Sequence, residues 1–87
     1  MFDRIIVSRY REAGKVERWS FVLQGGEVTV DAYRLETFDK MLERFRVDHE
    51  WSHLVKAPCP PVPLDVAGDA VEWFRDHIRF VGWTVPA

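Results

Sequence analysis

Gly25-Gly26 separates two alternating runs, Val16–Gln24 and Glu27–Leu35. A two-residue Gly-Gly loop supplies the positive φ angles that a tight hairpin turn needs. Gln24 then stands opposite Glu27, so Leu23 faces Val28, Phe21 faces Val30 and Trp19 faces Ala32. These apolar pairs all fall on one side of the ribbon. A slip of one residue would turn the whole set toward water, so turn and pattern select the same register.

The flanking segments extend this sheet. Arg4–Tyr10 is rich in Ile and Val and reads as a first strand. For Ile5 and Val7 to join the Trp19/Phe21/Leu23 face, the turn near Glu12-Ala13-Gly14-Lys15 must hold an odd number of residues. A three-residue loop with Gly14 or a neighbour left-handed satisfies this. The opposite, mostly polar face then carries Ile6, Tyr10, Arg18, Ser20 and Tyr33.

Thr37 can cap a short helix, and Phe38, Met41, Leu42 and Phe45 repeat at helical spacing. The spacing predicts a helix over residues 37–44. After Phe45 the pattern changes to alternation, with Phe45, Val47, His49, Trp51, His53 and Val55 on one side, so a fourth strand is expected over residues 45–55. Ala57–Pro63 holds four prolines and reads as an extended connector. A second helix follows, with Ala67, Ala70, Val71, Phe74 and Ile78 on one stripe. Asp65 caps its start, or Asp69 does so with Glu72 three residues on, and Gly82 suits its end. Trp83 is expected to pack back in the tail. The expected fold is α+β, in the order β-β-β-α-β-α. Its four-stranded antiparallel sheet carries two helices on one face.

Composition bounds the function. Eighty-seven residues suit one domain, and the net charge of −2 gives no reason to expect a polyanion or an anionic membrane as partner. No stretch approaches the ~20 apolar residues of a membrane span. The start, Met1-Phe2-Asp3-Arg4, lacks the features of a signal peptide, and the single cysteine, Cys59, has no mate for an internal disulfide. A cytoplasmic location is the expectation.

One short motif carries chemistry. His49-Glu50-Trp51-Ser52-His53 spells H-E-x-x-H. On a helix its two histidines share a face and can hold zinc while the glutamate activates the metal-bound water. These residues resemble the zincin metallopeptidase signature. Glu72 lies 19 residues past His53, with Asp76 four further on, an arrangement similar to the thermolysin-like (gluzincin) type. That resemblance implies His49, His53 and Glu72 as zinc ligands, Glu50 as general base and Asp76 as a supporting carboxylate. Cys59 is a rival third ligand, at the spacing where the metzincin type has His, although Lys56 stands where that type has Gly. Against this, the motif lies in the alternating segment. On a strand, Glu50 points away from the face that His49 and His53 share, and metal and base cannot address one water.

A second reading is single-stranded nucleic-acid binding on the sheet, from Arg4, Arg9, Arg11, Lys15 and Arg18 interleaved with Tyr10, Trp19 and Tyr33. Asp31, Glu12 and Glu17 dilute that patch, and no phosphate-cradling loop is present. Binding of another protein, without catalysis or cofactor, is the leading expectation, with zinc as the alternative. The expected binding surface is Tyr10, Arg18 and Tyr33 on the open sheet face, with Trp83 in the tail. Small cofactor-free chains of this character are common among accessory proteins of phages and mobile elements, including inhibitors of host defence enzymes. Inhibition by direct binding is therefore the expected role.

Overall fold

The computed structural model describes residues 3–55 and 58–75. Four strands, β1 (Asp3–Tyr10), β2 (Lys15–Gln24), β3 (Glu27–Asp39) and β4 (Arg44–Ser52), precede one helix, α1 (Leu64–Phe74). The strands form an antiparallel meander in the order β1-β2-β3-β4. The class is α+β, with β4 following β3 directly.

The Gly25-Gly26 hairpin forms in the expected register near its turn. Gln24 pairs with Glu27, Leu23 with Val28 and Phe21 with Val30. Both turn glycines have positive φ, 60° and 80°. The β1–β2 connection also has the expected parity, since Ile5 lies opposite Phe21 and Val7 opposite Trp19. Its turn is closed by a hydrogen bond from the Lys15 amide to the Glu12 carbonyl at 3.2 Å. Ala13 and Gly14 are both left-handed there, at φ 59° and 73°.

Beyond Val30 the register departs from strict alternation. Ser20 pairs with Ala32 while Phe21 pairs with Val30, so Asp31 is an extra residue, a β-bulge. Trp19 therefore faces Tyr33 and not Ala32. Tyr33 is carried to the core face, where it is 6% exposed and packs 4.4 Å from Trp19, centroid to centroid. The bulge is held by its own side chain. Asp31 Oδ2 accepts from Arg4 Nη2 at 2.7 Å, and Asp31 Oδ1 lies 2.8 Å from His53 Nδ1.

The expected helix over residues 37–44 does not form. β3 runs on to Asp39, and Phe38 pairs with Phe45 across a turn. Asp39 Oδ1 accepts from the amides of Met41 and Leu42 at 2.9 and 3.2 Å, and Glu43 is left-handed at φ 52°. A helix of eight residues has little stability of its own. Continuing β3 along β2, with Glu36 opposite Val16 and Thr37 opposite Lys15, satisfies the same backbone groups in an existing ladder.

β4 carries a second bulge. Leu35 pairs with His49 and Glu36 with Val47, leaving Asp48 extra. Phe45 and Val47 thus do not share a side with His49 and Trp51, as simple alternation required. Trp51 is buried on the core face, opposite Tyr33. The strand ends at Ser52, before His53 and Val55.

α1 and the proline-rich connector cover the core face. Val62 of the connector and Val66, Ala67, Ala70 and Phe74 of α1 join Trp19, Phe21, Val28 and Trp51 in one apolar cluster. α1 starts after Pro63, whose carbonyl accepts from the Ala67 amide at 2.9 Å, and neither Asp65 nor Asp69 caps it. The expected continuation of this helix through Ile78 to Gly82, and the Trp83 tail, lie outside the described residues.

Candidate functional site

Two polar sites flank the sheet, one inside and one outside. On the core face Glu17 is 4% exposed. Arg9 Nε donates to Glu17 Oε1 at 2.8 Å, and the Tyr33 hydroxyl donates to Glu17 Oε2 at 3.0 Å. Arg11 Nε lies 3.9 Å from the same carboxylate, and Arg9 also reaches Asp65 in the first turn of α1, at 3.5 Å. Burial, the Glu17 hydrogen bond and its negative charge push the Tyr33 phenol up to about 12. Desolvation works to lower the Arg9 guanidinium, but the Glu17 hydrogen bond and charge outweigh it and raise it. This cluster ties β1, β2, β3 and α1 together. Its groups are committed to one another, which fits a structural tie and not a reacting centre.

The open face of the sheet is different. Among the described residues no element packs over it. Tyr10 is 78% exposed and Ile6 also lies in water. At the far end Phe38, Phe45 and Val47 are each about two-fifths exposed, at 41%, 39% and 44%. Phe38 and Phe45 meet edge to face, 5.4 Å apart, and the Arg18 guanidinium sits 5.3 Å above the Phe45 ring. Met41 and Leu42 extend this apolar surface into the turn and are exposed. Toward the middle, the small pair Ser20 and Ala32 leaves a depression of about 230 Å³ rimmed by Ile6, Arg4, Arg18, Arg34 and Glu50.

The charges of this face are balanced. Arg18 bonds Glu36 and reaches Ser8 Oγ at 3.1 Å. Arg4 meets Asp31, and Arg34 Nη2 lies 3.3 Å from Glu50 Oε1. Each arginine is therefore matched by a carboxylate.

The H-E-x-x-H residues lie on β4 and just beyond it, not on a helix. His49 is on the core side, 6.1 Å from the Tyr33 ring. Glu50 points to the open face and pairs with Arg34. His53 is engaged by Asp31. Glu72 stands on α1, where it lines a groove with Ile6, Ser8 and Trp73. The peptidase-like arrangement of ligands and base is thus not assembled. Among the described residues no three His, Cys, Asp or Glu side chains gather as a metal site. Asp76 lies outside the described residues. Cys59 is half-buried against the core, and burial pushes its thiol up.

Of the expected binding residues, Tyr10 and Arg18 do share the open face. Tyr33 does not, because the Asp31 bulge turns it inward. Trp83 lies outside the described residues. Sequence reasoning missed Phe38, Phe45 and Val47 as surface residues, having assigned them to a helix and to the His49/Trp51 side of a strand. Single extra residues in a ladder leave little local signal, so nothing near Asp48 announced the change of side.

No helix among the described residues is long and apolar enough to cross a membrane. No protein-family model, curated protein or solved structure matches this chain.

Proposed function

We propose that the open sheet face, from Tyr10 and Arg18 to Phe38, Phe45 and Val47, docks another protein, and that the chain acts by binding and not by catalysis. The observation that carries this reading is the run of exposed aromatic and aliphatic side chains beside Arg18. Contiguous exposed apolar surface rimmed by polar groups marks interaction sites, and aromatic residues and arginine are enriched where binding energy concentrates. The depression over Ser20 and Ala32 would receive a protruding side chain of the partner. Direct inhibition of a host enzyme, the role expected of a small accessory protein, is one form such binding would take. The matched arginines favour a protein over a nucleic acid, since a phosphate backbone is held by uncompensated positive charge.

The test is the pair Tyr10→Ser and Phe45→Ser. Capture of a partner from the source cells should be lost while the melting temperature falls only slightly. Capture that survives in a folded double variant would rule this face out. Any captured partner should stay bound as salt is raised, whereas steep loss would point to nucleic acid.

A further inference from the structure

β4 is an edge strand. Among the described residues, β3 pairs with one side of it and no strand pairs with the other. Every residue from Arg44 to Glu50 is exposed. Such an edge is a template for a further strand.

The charges along it are ordered. Arg44 and Arg46 come first, Asp48 and Glu50 last, and Val47 stands between them. Charges that merely guard an edge work best with one sign, because they then repel an identical strand. Here the two halves have opposite sign. They repel a second copy laid parallel and attract one laid antiparallel. We propose that two copies of the chain pair antiparallel along β4, about a two-fold axis through Val47, joining their sheets into one. This uses the edge of the sheet and goes beyond the docking of another protein on its face, with which it shares Phe45 and Val47.

With Val47 on the axis, Arg46 of each copy stands opposite Asp48 of the other. Directly opposed residues interact only if they share a face. Arg46 and Asp48 do, since Arg46 Nε lies 3.4 Å from Asp48 Oδ1 and Thr37 bonds the same carboxylate. The Asp48 bulge turns Arg44 and Glu50 to different sides, so these two contribute through their field and not as a direct pair. On the open face, Val47 would meet its counterpart, with Phe45 diagonal to it on both sides of the seam. The pairing would cover apolar surface that is now in water, and an isologous contact of this kind closes at two copies.

Sedimentation velocity of the full chain across about 1–500 µM should show monomer giving way to dimer, and added salt should weaken it. Two variants sharpen the test. Arg44→Glu with Arg46→Glu makes the strand wholly acidic, and Asp48→Lys with Glu50→Lys makes it wholly basic. Each alone should self-associate at least about ten-fold more weakly. Their equimolar mixture should form a heterodimer. A wild-type chain that stays monomeric over this range overturns the proposal, as does a folded mixture that gains nothing over its components. Should either variant fail to fold, Val47→Cys in a Cys59→Ser background gives a separate reading. Mild oxidation should yield a covalent dimer, because directly opposed Cβ atoms stand about 5 Å apart. Failure to cross-link in the folded protein would refute an axis through Val47.

Discussion

The two long hairpins of this protein are similarly apolar and end in different environments. In β2–β3, around Gly25-Gly26, Phe21, Leu23, Val28 and Val30 are all buried beneath α1 and the connector. In β3–β4, Phe38, Met41, Leu42, Phe45 and Val47 remain exposed. For the strand residues Phe38, Phe45 and Val47 the difference is not hydrophobicity but which side each is turned to, and two inserted residues set that. Met41 and Leu42 lie in the turn itself. Asp31 moves Tyr33 inward, and Asp48 separates Phe45 and Val47 from Trp51. One hairpin stabilises the fold, and the other presents a surface.

A matched pair of truncations separates the two hairpins most strongly. Phe21→Ala should cost roughly 3–5 kcal/mol in urea unfolding, the expectation for a fully buried Phe. Phe45→Ala should cost only about 1 kcal/mol, for an exposed cross-strand aromatic pair and a guanidinium contact. Equal costs would mean that the far hairpin is also core.

The buried cluster gives the next test. Glu17→Ala leaves the Tyr33 hydroxyl without its acceptor and Arg9 with only its longer contact to Asp65, and should cost about 2–4 kcal/mol. A smaller effect follows from pH. Because the folded Tyr33 phenol is raised to about 12, the native state keeps its proton after the unfolded chain has begun to lose it near pH 10. The contribution is fully present below about pH 10 and is lost as pH rises through 12, about 2–3 kcal/mol in all. Tyr33→Phe should flatten stability measured between pH 9 and 12. The smallest effect concerns α1. A Cβ on exposed Gly68 would meet nothing within 4 Å, so Gly68→Ala should gain about 0.5–1 kcal/mol in thermal melts.

Much of the near hairpin was legible because two independent signals agreed there. Gly25-Gly26 specified the turn, and the alternation of Phe21, Leu23, Val28 and Val30 specified the face. The odd loop before Lys15 was legible for the same reason. The stretch from Phe38 to Phe45 misled because its spacing fits a helix, while the alternative depended on pairing with distant Val16 and Lys15. A local period cannot weigh a non-local ladder against a short helix. The strand character of His49–Ser52 was legible and removed the helical face that a zinc peptidase needs. The binding face was half legible. Tyr10 and Arg18 followed from parity, but Tyr33 was lost to a bulge whose ties, Arg4 and His53, come from opposite ends of the sheet.

Asp31 is an inserted residue which divides β3 into a segment in strict alternation and one of reversed facing. Cross-strand NOEs read this directly. Trp19 should show contacts to the Tyr33 ring, with Phe21 opposite Val30 and Ser20 opposite Ala32. Trp19 opposite Ala32, with the Tyr33 ring contacting Arg18 on the open face, would mean that β3 runs past β2 with no inserted residue.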